Sequence, residues 1–339
     1  MDATVNSDDK SALDVAAALR VALAAAVTLV LAEWWHLAHA NLAVWTSYMV
    51  MVSVPFTSFQ KGIERVVGRG LGVLAGLVIH ALFPDRPLIQ VILEAALIAL
   101  AFYIYFAGRL AYTALNAGLY IAAILEVAHA DPDGALPYGK EVLLAVALGV
   151  IVADVVNWLT GAEHDLTITA GTAPLLPVNF DWLNRSLLLM VTAIVTQMAS
   201  RWLDLPATQA VISVMVLTVS PDIQSLILKG ELRLLGAFLG SGWSFASFVL
   251  LAQADHFTLL VALVFVGIFL AAYLSRVGGR YAYAGVQMGL VLPLVIVVDP
   301  SEFGSLHSSW QRLEGVLIAL ALSTVIAALW PRFKFSADM

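Results

Sequence analysis

The chain has 339 residues, 61% of them hydrophobic and only 12% charged, with a mean hydropathy of +0.91. A soluble protein of this length carries about a quarter charged residues, and the apolar runs leave no room for a separate soluble domain. The absence of cysteine excludes disulfides, thiolate metal sites and cysteine nucleophiles, while the net charge of −7 decides little, because membrane orientation follows where Lys and Arg lie.

In chain order, Met1 to Asp14 is polar and acidic, and the run after it, 14–36, is long enough to span by itself, so the N terminus is read as uncleaved. The second run, 41–58, carries Trp45, Tyr48 and Ser53 and ends around Pro55. The third, 66–83, is opened by Gly62, Arg65, Gly68 and Gly72. Pro84-Asp85-Arg86-Pro87 then reads as a tight turn into 88–107, which holds Glu94. The fifth run, 111–129, holds Tyr112, Asn116, Tyr120 and Glu126. Asp131-Pro132-Asp133-Gly134 turns it into 138–160, which holds Asp154. Residues 161–182, with several Thr and Pro, read as a linker. The second half repeats the plan as 184–203, 207–221, 232–252, 256–274, 281–298 and 310–330, with Asp299-Pro300 as its last turn. Most of these twelve runs approach the ~20 residues that a bilayer crossing needs, although 207–221 is short.

The two halves share their motifs. Gly62, Arg65, Gly68 and Gly72 recur as Gly230, Arg233, Gly236 and Gly240, and the Tyr112-x-x-x-Asn116-x-Gly118-Leu119 motif recurs as Tyr283-x-x-x-Gln287-x-Gly289-Leu290. A duplicated, almost wholly apolar chain points to a membrane transporter built from two halves. With the N terminus placed in the cytoplasm, thirteen Lys and Arg fall on the inner side and four (Arg86, Lys140, Arg201 and Arg312) on the outer side. That bias is positive-inside and puts both termini in the cytoplasm. Six spans per half make the repeats parallel, related by a pseudo-two-fold axis along the membrane normal. The fold expected is all-α, with about 12 transmembrane helices. The first repeat covers 1–160, the linker 161–182 and the second repeat 183–339.

These repeats resemble the fusaric acid resistance (FUSC) superfamily, which includes the aromatic acid exporters. The resemblance rests on a first helix entered by an Arg (Arg20, Arg185) and a short second helix ending in Pro (Pro55, Pro221). It rests also on the Arg-x-x-Gly-x-x-x-Gly start of the third helix, and it covers nearly the whole chain. It implies export of small, often aromatic, organic acids across the bacterial inner membrane, commonly with a periplasmic adaptor (membrane fusion) protein. Plant malate channels are similar at a greater distance. Larger exporters of this type carry a substantial cytoplasmic domain between their halves, where this chain has only the linker.

The candidate residues fall into three groups. Gly68, Gly72 and Gly76 share one helix face, as do Gly236 and Gly240, and small residues so spaced let helix backbones approach closely; these are read as packing positions. Arg65 and Arg233 are read at the cytoplasmic entries of those helices. There they either snorkel to the interface or form a basic mouth for an organic anion, because a guanidinium grips a carboxylate bidentately and keeps its charge. Arg69, Arg109 and Arg280 add to that field. Tyr112, Asn116, Tyr283 and Gln287 are read either as pathway lining or as interhelical hydrogen bonds, with Trp45 and Tyr48 as an aromatic wall. Glu94, Asp154 and Glu126 are acids embedded in apolar runs, and such acids are candidates for carrying a proton. His36, His39 and His129 lack a diagnostic ligand spacing, so no metal site is assigned.

No phosphate loop or hydrolase motif is present. The sequence calls for no cofactor, no enzymatic activity and no nucleic-acid partner. The reading is a proton-coupled exporter of small organic anions, aromatic carboxylates foremost, with its pathway between the two halves. A passive anion channel or uniporter stays open as an alternative. So does a transporter of the major facilitator class, although Glu64-Arg65-Val66-Val67-Gly68-Arg69 has one residue too many for that class's loop motif.

Overall fold

In the computed structural model, described over residues 7–52, 58–108, 110–161, 179–203, 207–220, 222–254, 256–297 and 307–330, every regular element is helical. The first sequence half gives α1 (Ser7–Trp34), α2 (Ala40–Val52), α3 (Ser58–Leu82), α4 (Pro87–Phe106), α5 (Ala111–Ala130) and α6 (Ala135–Leu159). The second gives α7 (Phe180–Trp202), α8 (Ala207–Thr218), α9 (Ile223–Leu251), α10 (Phe257–Val277), α11 (Ala282–Ile296) and α12 (His307–Leu329). A 3-10 turn, Gly279–Tyr281, precedes α11. Arg109, Ser53, Pro55, Pro221, Asp299-Pro300 and most of the 161–182 linker lie outside the described residues.

A helix stands at each of the twelve expected places, but the boundaries differ in an informative way. The apolar pattern starts the third and ninth spans at 66 and 232, whereas the helices start at Ser58 and Ile223. Gln, Lys, Glu and Arg are good helix formers, so polar residues next to an apolar run extend the helix without raising its hydropathy. Among the described residues, seven helices are long and apolar enough to cross a membrane: α1 from Asp14, α3 from Phe59, α4, α5, α6, α9 and α10. The chain is therefore a multi-pass membrane protein. Of the twelve crossings expected, seven qualify on length and composition among the described residues. Helices α2, α8 and α11 have 13, 12 and 15 residues, about 18–23 Å at 1.5 Å per residue. That falls short of the ~30 Å hydrocarbon core.

Local chemistry sets several helix starts. Pro87 opens α4, where a missing N–H costs nothing. The Asn179 side chain caps α7 by accepting from the backbone N–H groups of Asp181 and Trp182, at 2.9 and 3.2 Å. Asp222 caps α9, accepting from the backbone N–H and the hydroxyl of Ser225, each at 2.8 Å. Those two donors, the backbone one foremost, hold the Asp222 carboxyl below its usual range. A depressed folded-state value means the cap is stabilising above the ordinary carboxylate pKa of ~3.9 and is lost as pH falls through the depressed one. In detergent at neutral pH, Asp222→Ala is expected to unfold at a lower temperature than the wild type, with the gap closing in strong acid. A gap that persists there would mean the carboxylate is not the stabilising group.

By contact, the chain divides into two compact units. One comprises Met1–Gly62, Leu144–Thr167 and Leu232–Ser309; the other comprises Ile63–Leu143, Ile168–Glu231 and Trp310–Met339. Within the first, α1 packs on α2 and α10, and α11 packs on α10 and α2. Within the second, α7 packs on α8 and α4, and α5 packs on α4 and α8. Each unit thus joins the first two helices of one sequence half to the fourth and fifth helices of the other. The compact units and the sequence halves are different divisions of the chain. The core of the second unit gathers Ile98 and Phe102 of α4, Leu188 and Leu189 of α7, and Val214 and Met215 of α8.

Candidate functional site

Two helix seams hold the glycine, arginine and tyrosine–amide motifs singled out by the sequence. In the second unit, α3 lies against α5 along its glycine face. A side chain at Gly68 would strike the Thr113 carbonyl oxygen and sit 2.9 Å from Cβ of Asn116; one at Gly72 would strike the Ala117 carbonyl and sit 2.9 Å from Cβ of Tyr120. One at Gly76 would meet Ile124 at 2.8 Å. In the first unit, α9 meets α11 in the same manner. A side chain at Gly236 would strike the Ala284 carbonyl and Cβ of Gln287, and one at Gly240 would lie 2.9 Å from the Met288 carbonyl and 3.1 Å from Cβ of Val291. In a bilayer, lipid is as apolar as leucine, so such seams form because bare backbone admits close van der Waals contact.

The arginines lie inside these seams. The sequence expectation put Arg65 and Arg233 at helix entries. Because α3 and α9 begin earlier, the two arginines instead sit about two and three turns in. Arg65 and Arg233 are only 2% and 9% exposed, and Arg69 is fully buried. That burial does not fit a side chain snorkelling to headgroups. The Arg65 guanidinium donates to the Tyr112 hydroxyl. The Arg69 guanidinium lies 4.5 Å above the Tyr120 ring, with Arg65, Tyr112 and Tyr138 among its electrostatic neighbours. In the other seam, Nη1 of Arg233 donates to Oε1 of Gln287 at 2.9 Å, beside Tyr283. A buried guanidinium on a neutral aromatic or amide partner thus occurs in both seams. The second unit adds Arg69, at whose motif position the first has Ala237.

The remaining candidates divide. Asn116 is buried and donates to its own helix's Tyr112 carbonyl at 2.8 Å. Tyr48 is fully buried and donates to the Gly285 carbonyl at 3.1 Å, with its ring against Gly289, so it belongs to the contact between α2 and α11. Trp45, Glu126 and Asp154 are half-buried. Arg280 stacks on Tyr281 at 4.7 Å near the start of α11. Glu94, 2% exposed, accepts a 2.7 Å hydrogen bond from Nε2 of Gln197 on α7. The sequence reading missed Gln197, and its signal was available: an amide within the apolar run 184–203 needs a partner as much as Asn116 does. Among the described residues, no three His, Asp or Glu gather as a metal site.

Residues 14–167, which run from within α1 to beyond the end of α6, match the model of the fusaric acid resistance protein family. This stretch is similar to that family. The matched stretch contains Arg65, Arg69, Tyr112, Asn116 and Glu94. Neither the curated proteins nor the solved structures gave a match. Residues beyond 167 lie outside the match and carry the repeated motif positions Arg233, Gly236, Gly240, Tyr283 and Gln287.

Proposed function

We propose that this protein exports small organic anions, aromatic carboxylates foremost, across a bacterial inner membrane, driven by protons. The supporting observation is a pair of buried guanidinium groups that hydrogen-bond neutral side chains, Arg65 to Tyr112 and Arg233 to Gln287. Ionised side chains in a membrane interior are costly and rare. A carboxylate is a stronger and bidentate acceptor for a guanidinium than a phenol or an amide. An incoming organic anion therefore displaces the neutral partner, and the neutral partner takes the guanidinium back when the anion leaves. Tyr112, Tyr120 and Tyr283 supply ring faces beside the charge for an aromatic substrate. Glu94, Asp154 and Glu126 are the acids available to carry the driving proton.

Transport by purified protein in proteoliposomes, with a panel of aromatic and aliphatic acids and with or without a pH gradient, tests this reading. Uptake of aromatic acids that a pH gradient accelerates is expected. Uptake indifferent to the gradient would make the protein a passive path, and failure to move any acid would overturn the anion reading.

The positive-inside distribution of Lys and Arg places both termini and the starts of α3 and α9 on the cytoplasmic side in this reading. The chain has no cysteine, so single cysteines at Gln60 and Gln224 report their side cleanly. An impermeant thiol reagent is expected to label them only after the membrane is opened; labelling in intact spheroplasts would reverse the orientation. The partner implied by the family resemblance is a periplasmic adaptor, and it would dock on the opposite face.

A further inference from the structure

The Glu94–Gln197 pair stands apart from the arginine seams and ties α4 to α7 within the second unit. Its chemistry is unusual for a packing contact. Both side chains are more than nine-tenths buried, and an amide carries donors and an acceptor on one rigid group. Against a carboxylate, Gln197 donates through Nε2, as observed at 2.7 Å. Against a carboxylic acid, a half-turn of the same amide presents Oε1 to accept the acid's O–H. The pair is therefore satisfied in both protonation states without moving either helix. A Lys or Arg in place of Gln197 would fit only the charged state, and an apolar residue neither. Buried polar groups are stable only when satisfied.

Packing does not require this pair. In the first unit, α1 and α10 make the contact that α7 and α4 make in the second. Gln197 lies twelve residues after Arg185, and the residue twelve after Arg20 is Ala32; Glu94 is the eighth residue of α4, and the eighth of α10 is Val264. Ala32 and Val264 are both fully buried. At these two positions the first unit thus carries apolar residues, and the Glu–Gln pair is an addition specific to the second. The other charged groups acting on Glu94 are Arg201 of α7 and Glu126 of α5.

We infer that Glu94 and Gln197 form a reversible proton-binding site, the point at which this transporter takes up its driving proton. This rests on the exporter reading above and singles out one of its three acids. The step is a simple transfer. A proton from water at the membrane face adds to a carboxylate oxygen of Glu94, the charge there goes from −1 to zero, and the Gln197 amide turns to accept the new O–H. Release on the other side reverses each change. Since α4 and α7 come from different sequence halves, the charge at their contact is felt by both.

Infrared pH titration of the purified protein reads the site without any transport. A carbonyl-stretch band of a protonated carboxylic acid is expected to grow on acidification and to be missing in Glu94→Gln, a variant of nearly the same shape that keeps an amide partner for Gln197. In Gln197→Leu the band should remain with its midpoint moved by about 1–2 pH units, the worth of one hydrogen bond to a charged group. A band unchanged in Glu94→Gln, or a wild-type midpoint in Gln197→Leu, would overturn the proposal. In proteoliposomes, Glu94→Gln should still exchange anion for anion while losing its acceleration by a pH gradient; retained acceleration would equally overturn it. If the site titrates as described but no acid is moved, the exporter reading fails and the proton site stands.

Discussion

Valine at Gly68 or at Gly236 is expected to stop the helix seams from closing, whereas valine at Gly70 or Gly242 on the same two helices is expected to be tolerated. A side chain at Gly68 or Gly236 runs into a carbonyl oxygen and a Cβ of the facing helix, which are backbone-fixed atoms that cannot rotate away. At Gly70 the nearest atom is a leucine methyl 4.0 Å off, and at Gly242 nothing lies within 4 Å. Overpacking a tight contact usually costs about 1–3 kcal/mol, and more when only backbone can give way. In a membrane the seam has little hydrophobic driving force in reserve. Size-exclusion profiles and thermal unfolding of the four variants check this. Equal behaviour of all four would mean that the close approach of α3 to α5 and of α9 to α11 is not what holds these seams. Helix propensity is not the confounder, since each variant makes the same exchange within an α-helix.

The second large effect concerns the arginines. Arg65→Lys and Arg233→Lys should fold and insert, yet bind the transported acid about tenfold to a hundredfold more weakly. Lysine keeps the charge but loses the planar fork that meets a carboxylate with two parallel N–H groups. One hydrogen bond to a charged group is worth about 1.5–3 kcal/mol. Alanine at both positions should be worse than at either. Because both guanidinium groups are buried, salt in the assay should leave the loss largely in place, unlike that of a solvent-exposed charge. Gln287→Leu removes the Arg233 partner directly, so it should change transport more than Asn116→Leu, whose amide bonds only its own helix. Unchanged affinity in both lysine variants would assign the arginines a purely structural part.

The sequence by itself determined the class of the molecule and much of its plan. Composition and run length demanded a helical membrane protein, because in lipid every backbone polar group must be satisfied within its own segment. The glycine spacing marked which face of α3 and of α9 would approach another helix, because i and i+4 lie one above the other. Arg65 and Arg233, and Tyr112, Tyr283 and Gln287, were visible as two repeated motifs, since their spacing survives in the chain, but the contact of each arginine with a residue of the other motif was not. The tertiary structure alone decided who meets whom. The pairing of α1 and α2 with α10 and α11, and of α7 and α8 with α4 and α5, joins residues far apart in the chain, from Tyr103 with Trp182 to Tyr48 with Gly285, and local periodicity carries no record of such distances. Arg65 and Arg233 proved to be interior to their helices because a helix starts where backbone carbonyls first accept from N–H groups four residues on, not where hydropathy first rises. Gln197 was a lone amide in an apolar run until α7 packed on α4 and set it against Glu94. Its partner lies 103 residues away in sequence, so only the packed helices could identify it.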